Sequence, residues 1–435
     1  MKYLDDYKHS AGIYTSHRFR YKSNFQRVLG DQFVDLLVIS IPTLTFLEFK
    51  IIGRLFAPEI ILICLFPILL FTKHKTLFEP LPKMMLFLLI AWLSGQIITD
   101  LIRHVPFEDY SRGWAKIGFT LINFSTIYIL IYGKRERILF YAIGIALGGI
   151  LTFYINPNSY AEDYPWKFGI GESLTWLFII LASSRKLSWI LLRVGIIVAV
   201  SILNLYMGFR SYAGICFLTA VYIYFQWLWR IKCTRETKIS ANKMLLIALA
   251  ILTTGFIFIK GYEKAAYKGL LGEKAREILE WQTNGSYGLL LGGRSEILVS
   301  YRAILESPII GHGSWAKDYN LSSLLVYLKR ILGYHAGQSN LSELIPTHSH
   351  LFGAWVEAGI MGAIFWIWVL SLAIRGMVSL IHTKENLTPL FAFIGFILIW
   401  DIFFSPYGAD RRFITPYYII VMMNLLPPRI SEKKL

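Results

Sequence analysis

Residues that could carry out chemistry are concentrated in one polar segment, 261–350, of a chain that is otherwise mostly apolar. The segment holds four of the nine histidines, and a histidine titrates near neutral pH, so it can take a proton from a hydroxyl group. His348 and His350 stand where the segment meets the next apolar run, which predicts an imidazole at the mouth of a cavity between helices. A transporter keeps its ionisable groups between its helices, so this distribution favours an enzyme that works at a membrane surface.

Several arginines could hold a pyrophosphate anion at the same surface. Arg294 follows Gly293 in a Gly-Gly-Arg-Ser sequence, where the glycines let the backbone approach a ligand and the guanidinium can bind two phosphate oxygens. Arg210 begins an apolar run with almost no connection before it, and an arginine at that depth must pair or face a water-filled cavity. Extension of Arg210 to the lipid headgroups is the alternative. Arg411 and Arg412 are weaker candidates for the same diphosphate role.

The histidines and one acidic residue have other interpretations as well. Loop histidines can bind zinc, but no cysteine, His-Glu-x-x-His pattern or tight carboxylate cluster accompanies them, so we expect no metal and no other cofactor. A histidine at a helix start can also be purely structural, and that interpretation stays open for His348 and His350. Glu357 lies about two and a half helical turns after His348, so its carboxylate must be paired or face the same cavity.

The composition places the chain in a lipid bilayer. Hydrophobic residues make up 55% of it and the mean hydropathy is +0.51, which is too apolar for a soluble domain. Apolar runs long enough to cross about 30 Å of hydrocarbon predict an all-α polytopic membrane protein with about 12 transmembrane helices. The predicted spans are residues 32–50, 57–72, 84–102, 115–133, 137–155, 168–184, 187–205, 211–229, 243–260, 351–374, 388–405 and 413–427.

Basic residues indicate how these spans are oriented. Lys and Arg are frequent before the first span and in alternate connections, which by the positive-inside rule puts both termini in the cytoplasm. The predicted parts are a cytoplasmic basic segment, spans 1 to 9, one large extracytoplasmic loop, spans 10 to 12 and a cytoplasmic tail: residues 1–30, 31–260, 261–350, 351–427 and 428–435. The net charge of +16 follows mostly from this topology, so no nucleic-acid partner is expected.

Two amphipathic helices are expected inside the long loop. Residues 262–282 place apolar side chains among alternating Lys and Glu, and residues 321–332 form a second apolar-periodic stretch. Such helices lie in the outer membrane interface or cover a cavity above the spans. A solvated lid without an active role is the alternative interpretation of the same segment.

Three groups of residues stand at fixed intervals around the long loop: Gly293-Arg294, then Pro308-x-x-Gly311-x-Gly313, then His348 with Glu357, Gly359 and Gly362. Together with Asn156-Pro157-Asn158 and Arg210-Ser211-x-x-Gly214, they resemble the O-antigen ligase and polymerase superfamily of bacterial envelope polysaccharide assembly. The resemblance covers roughly residues 150–365. This chain departs from the family in having Ser349 where an Asn commonly follows the histidine, and it adds His350, so either imidazole could act.

The resemblance implies a metal-independent glycosyltransferase of the bacterial inner membrane, with 261–350 as its periplasmic catalytic loop. Its donor would be an undecaprenyl-diphosphate-linked oligosaccharide in contact with membrane lipids. The family's base corresponds to His348, with His350 as the less favoured choice. The family's diphosphate-binding arginines correspond to Arg210 and Arg294.

The acceptor glycan and the class of protein have alternatives. A polymerase extends one lipid-linked repeat with another, whereas a ligase moves the finished chain to lipid A-core. We favour the O-antigen polymerase, because no feature of the sequence identifies a surface for lipid A-core. A polytopic transporter is the alternative from another class, but a transporter commonly has related halves and a long cytoplasmic loop after the sixth span.

Overall fold

The computed structural model of the protein describes residues 25–51, 53–187, 189–232, 241–283, 294–333, 343–383 and 385–426. Within these ranges the chain is helical almost throughout and has a single two-stranded sheet. Six of the described helices are long and apolar enough to cross a membrane, which confirms an all-α, membrane-embedded protein. The described residues up to Leu37 and those from Val38 onward belong to two separate units, and every element after the first helix lies in the second unit.

Ten described helices precede the long loop. They are α1 (Phe25–Thr43), α2 (Ala57–Lys73), α3 (Pro80–Ile102), α4 (Phe107–Ile131), α5 (Arg135–Ile155), α6 (Ser159–Asp163), α7 (Gly171–Ala182), α8 (Ile190–Tyr206), α9 (Arg210–Lys232) and α10 (Ala241–Tyr267). Every predicted span of this part overlaps one of them. Helices α3, α4, α5 and α9 have the length and hydropathy of membrane spans, and so does α2 together with the helical turn that follows it to Phe78. Strands β1 (Glu48–Lys50) and β2 (Arg54–Phe56) form an antiparallel hairpin between α1 and α2.

Seven described helices follow. They are α11 (Glu273–Thr283), α12 (Glu296–Glu306), α13 (Tyr319–Ile331), α14 (His350–Ala358), α15 (Ile360–His382), α16 (Thr388–Phe404) and α17 (Ala409–Asn424). The helix predicted over residues 321–332 is present as α13. The helix predicted over residues 262–282 is instead shared between α10 and α11, because Gly269 and Gly272 have φ values of 72° and 85° that a helix cannot accommodate.

The predicted tenth span, residues 351–374, is divided by a break at Gly359. This glycine has a φ of 60°, and a Cβ atom there would lie 2.0 Å from the carbonyl oxygen of Ile309. The loop after α12 packs against this break, and the Gly313 N–H of the loop donates a hydrogen bond to the Glu357 carbonyl at 3.0 Å. Two glycine motifs that are separate in the sequence therefore pack against each other, and the close approach at Gly359 leaves no space for a side chain.

Helix α3 binds the same loop through two charged side chains. The buried carboxylate of Asp100 accepts hydrogen bonds from the Ser314 N–H at 2.6 Å and from the Ser314 hydroxyl at 2.7 Å. Arg103 Nε donates to the Gly311 carbonyl at 3.1 Å, and its Nη2 donates to the Ser307 hydroxyl at 2.8 Å. Hydrogen bonds to charged groups are stronger than neutral ones, so these contacts fix the backbone around Gly311 and Ser314.

The long loop has a small hydrophobic core of its own. Its buried members come from α12, α13, α14 and the segments before α13 and α14: Val299, Ala303, Ile304, Ala316, Leu321, Leu325, Ile345 and Val356. Burying one of the larger aliphatic side chains contributes about 1.5–3 kcal/mol. Ser300 of α12 also donates a hydrogen bond to the Pro346 carbonyl at 2.9 Å. The segment that leads into α14 is therefore held firmly on α12.

Candidate functional site

A cavity of about 950 Å³ lies among α4, the long loop and the segment that leads into α17. Its lining includes residues of the β1–β2 hairpin and of the long loop as well as residues of the helices α3, α4 and α14. The ionisable side chains that line it are Arg54, Arg112, Lys116, Glu296, Lys329, His348, Glu357, Asp410 and Arg412. The volume is within the range of small-molecule sites, and the charged lining suits a polar ligand.

His348 lines this cavity, directly before the N-cap of α14. The next residue, Ser349, fixes the approach: its hydroxyl donates to the Ile402 carbonyl at 2.7 Å and accepts from the Phe352 N–H at 3.1 Å. Burial lowers the pKa of the His348 imidazole, while the Glu296 carboxylate raises that pKa and the Arg294 guanidinium lowers it. The ring is therefore neutral near neutral pH and can accept a proton from a ligand in the cavity.

His350 lies in a different environment. Its side chain is completely buried, and its Nδ1 donates a hydrogen bond to the Ser405 carbonyl at 2.6 Å. The ring packs against Trp366 and Tyr407, at centroid distances of 4.8 Å and 5.0 Å. His348 precedes the extended N-cap residue Ser349, whereas His350 is the first residue of α14, so the two rings have different surroundings.

The charges of Arg210, Arg294 and a third cation, Lys167, act on one another electrostatically. The helical turn that carries Lys167 is tied to the region before Arg210, because Trp166 Nε1 donates to Asn204 Oδ1 at 2.9 Å. Burial lowers the pKa of Lys167, and the two guanidiniums lower it further. Burial also lowers the pKa of Arg294; Glu296 opposes this, and Arg210 adds to it. Cations gathered in this way are typical of a site that binds an anion.

The Arg210 side chain is further positioned by Tyr262 of α10. Its Nη1 donates to the Tyr262 hydroxyl at 3.2 Å, and its guanidinium carbon lies 5.3 Å from the centre of the tyrosine ring. Arg294 connects this cluster to the cavity, because its charge acts on both Lys167 and His348. Of the three predicted residues, His348 lines the cavity, and Arg210 and Arg294 are not among its lining residues. Gly293 lies outside the described residues.

Arg411 and Arg412, the weaker candidates for diphosphate binding, each form an ion pair with a carboxylate. Arg411 Nη1 lies 2.8 Å from Asp401, whose side chain is 2% exposed. Arg412 is bidentate with Glu59, with its Nε and Nη2 each 2.7 Å from a carboxylate oxygen. Asp401 and Glu59 are buried, so each needs its arginine as a counter-charge. These pairs give both arginines a structural role that their sequence positions do not reveal.

Glu357 is both paired and directed into the cavity, as its position in the sequence predicts. Its carboxylate lies 2.5 Å from the Nζ of Lys116 in α4, and both side chains line the cavity. Their exposed fractions are 18% and 13%, so water screens the pair only partly. The ion pair connects a membrane helix to the end of α14, beside the break at Gly359.

Sequence reasoning missed three charged residues of this region. Lys116 could have been identified from the sequence, because it falls inside the predicted span 115–133, where an ionisable side chain needs a partner or a function. Glu296 stands two residues after Arg294, but its proximity to the cavity depends on how α12 packs. Lys167 gave no signal, since only the folded chain brings it near Arg210.

The cavity therefore contains a neutral imidazole that can accept a proton, and that imidazole is influenced by the charge of the Arg294 guanidinium. Among the described residues, no three His, Cys, Asp or Glu side chains are grouped as metal ligands would be. In comparisons with known proteins, neither a protein-family model nor a curated protein matches this chain. What the site does must therefore be inferred from its own residues and from the sequence motifs.

Proposed function

We propose that the protein is a membrane glycosyltransferase that moves an undecaprenyl-diphosphate-linked oligosaccharide to a hydroxyl group of an acceptor glycan. The observation that carries the proposal is the position of His348 in a cavity of about 950 Å³ that has charged side chains in its lining. The Arg294 guanidinium acts electrostatically on both His348 and Lys167. A base beside a cation cluster is what a displacement with a diphosphate leaving group requires. The motif resemblance to the O-antigen ligase and polymerase superfamily supports the same chemistry.

The reaction is a direct displacement at the anomeric carbon of the donor's first sugar. The acceptor hydroxyl gives its proton to His348, and its oxygen forms the new bond to the anomeric carbon. The bond between that carbon and the phosphate oxygen breaks, and its electron pair leaves with undecaprenyl diphosphate. Arg210, Arg294 and Lys167 stabilise the charge of the leaving group, which is the kind of interaction that contributes most to such reactions.

The lipid-linked donor accounts for a catalyst that is embedded in a membrane. We place the protein in the bacterial inner membrane with the cavity on the periplasmic side and both termini in the cytoplasm, because basic residues dominate the opposite connections. A single cysteine at Tyr319 should react with an impermeant thiol reagent applied from outside, and one at Arg135 should not. The reverse labelling pattern would contradict this orientation.

The favoured acceptor is a second lipid-linked chain, which makes the protein an O-antigen polymerase rather than a ligase. Gel analysis of surface polysaccharide from a deletion strain separates the two. A lost polymerase leaves a single repeat on lipid A-core. A lost ligase leaves long chains on undecaprenyl diphosphate, and this second result would replace the polymerase assignment.

The donor site is tested with purified protein in lipid nanodiscs and a synthetic undecaprenyl-diphosphate-linked oligosaccharide. Arg210→Ala and Arg294→Ala should each lower turnover by about 10²-fold or more, by analogy with other preorganised charge sites. Lysine at either position should restore activity only partly, because it cannot bind two oxygens in fixed geometry. Arg302→Ala is the matched control, since that arginine is 61% exposed and pairs with Glu306. Full turnover by both alanine variants would contradict the proposal.

A further inference from the structure

Trp315 has a backbone conformation that its local sequence does not explain. Its φ is 52°, and among the described residues His104 is the other non-glycine residue with a positive φ. His104 ends α3, where the Val105 N–H donates to the Asp100 carbonyl at 3.0 Å in an ordinary helix cap. Trp315 ends no helix. A left-handed residue in such a place costs about 1–3 kcal/mol and often belongs to a functional site.

Contacts on both sides force this conformation. Ser314 is held by Asp100, as described above, and the Ala316 carbonyl accepts from the Ile345 N–H at 2.9 Å. Helix α4 packs closely against Ser314 at Gly113, where a Cβ atom would lie 1.9 Å from the Ser314 hydroxyl. The fold therefore holds the backbone around Trp315 against α4.

The result is an aromatic surface beside a cationic side chain. The guanidinium carbon of Arg112 lies 5.5 Å from the centre of the Trp315 ring, and both residues line the cavity. Trp315 is 40% exposed, so part of its ring is accessible from the cavity. The Nε of Arg112 is buried and makes no hydrogen bond within the described part of the chain. Both side chains are thus placed to contact a ligand.

The Lys116–Glu357 ion pair belongs to the same wall. Arg112 and Lys116 are four residues apart on α4, so they lie on one face of that helix. The backbone carbonyl of Glu357 accepts the Gly313 N–H, two residues before Trp315. One wall of the cavity therefore presents an indole ring, two cationic donors and one carboxylate acceptor.

We propose that Trp315, Arg112 and the Lys116–Glu357 pair form a binding subsite for a pyranose ring of the acceptor glycan. This assignment rests on the proposed glycosyl transfer. A sugar ring has an apolar face that can pack on an indole, and its hydroxyl groups both donate and accept hydrogen bonds. A sugar hydroxyl can donate a hydrogen bond to the Glu357 carboxylate, whereas an ionised phosphate ester has only acceptor oxygens to offer it. His348 lines the same cavity, so a ring held on this wall lies near the base.

Binding is measured first, without any reaction. Purified protein in nanodiscs is titrated with lipid-free oligosaccharide repeats released from the source strain's own surface polysaccharide, and saturation-transfer NMR reports contact. Trp315→Ala should weaken binding by at least about tenfold, which corresponds to about 1.4 kcal/mol. Trp315→Phe should retain part of the affinity, and Arg112→Ala should weaken binding in a protein with an intact loop. Trp189→Ala is the control, because that tryptophan is 65% exposed and lies outside the cavity wall.

Steady-state kinetics then separate the two proposals. With the lipid-linked donor and the lipid-free repeat as acceptor, Trp315→Ala should raise the acceptor KM about tenfold and leave the donor KM unchanged. An unchanged acceptor KM in Trp315→Ala and Arg112→Ala, beside an active wild type, would overturn the subsite alone. A wild type that binds the repeat through Trp315 but transfers nothing would overturn the proposed reaction and leave the subsite. Displacement of the repeat by inorganic pyrophosphate at this wall would show an anion site and overturn the pyranose assignment.

Discussion

Replacing Arg412 should destabilise the protein rather than disable donor binding. Its guanidinium is bidentate with Glu59 at 2.7 Å for both contacts, and it also donates to the Arg54 carbonyl at 2.7 Å. Glu59 has no exposed surface, so Arg412→Met leaves a buried carboxylate without its counter-charge. Breaking a buried pair in this way costs about 3–5 kcal/mol. In larger domains each kcal/mol of lost stability lowers the Tm by about 2 °C or more, so the Tm should fall by roughly 6–10 °C.

A double variant shows whether the lost stability comes from the unpaired carboxylate. Glu59→Met combined with Arg412→Met removes both charges, and replacing a buried ion pair by apolar side chains is often neutral or better. Thermal unfolding in detergent should therefore place the Tm of the double variant above that of Arg412→Met, and its turnover should persist at low temperature. An unchanged Tm in Arg412→Met with complete loss of donor binding, not restored in the double variant, would refute this reasoning. Arg412 would then hold the diphosphate.

Further predictions concern the pH dependence, the helix break and the third cation. Glu296→Gln removes a carboxylate that raises the pKa of His348, so this pKa should fall and the acidic side of the kcat/KM profile should move to lower pH. An unchanged pH profile would contradict an influence of Glu296 on His348. Gly359→Ala should greatly lower the yield of folded protein, because its Cβ meets a carbonyl oxygen at 2.0 Å, whereas Gly118→Ala on α4 meets nothing within 4 Å and should fold normally. Lys167→Ala should raise the donor KM by about tenfold, and an unchanged donor KM would remove this residue from the anion site.

The helices could be predicted from the sequence because apolar runs report local structure. Every predicted span overlaps a described helix. The break at Gly359 could not be predicted, since it depends on contact with Ile309, in a segment that is remote in the sequence. A glycine in an apolar run is compatible with both an intact and a broken helix.

The ion-pair partners of the charged residues in the site could not be predicted from the sequence. The position of His348 at the end of a polar segment was enough to suggest a cavity. The partner of Glu357, Lys116, is 241 residues away along the chain, and that of Arg412, Glu59, is 353 residues away. Charge and spacing indicate that such residues need a partner, but only tertiary packing selects which one.

The central claim is that His348 accepts the proton of the acceptor hydroxyl, and single-turnover rates with the synthetic lipid-linked donor test it most directly. His348→Ala should lower the rate by about 10²- to 10⁴-fold while the protein stays folded, because the ring lines a cavity. His350→Ala should instead lower stability, with most of the rate retained per folded molecule, because that ring is buried and bonded to Ser405. A fully active His348→Ala beside a folded but inactive His350→Ala would contradict the account.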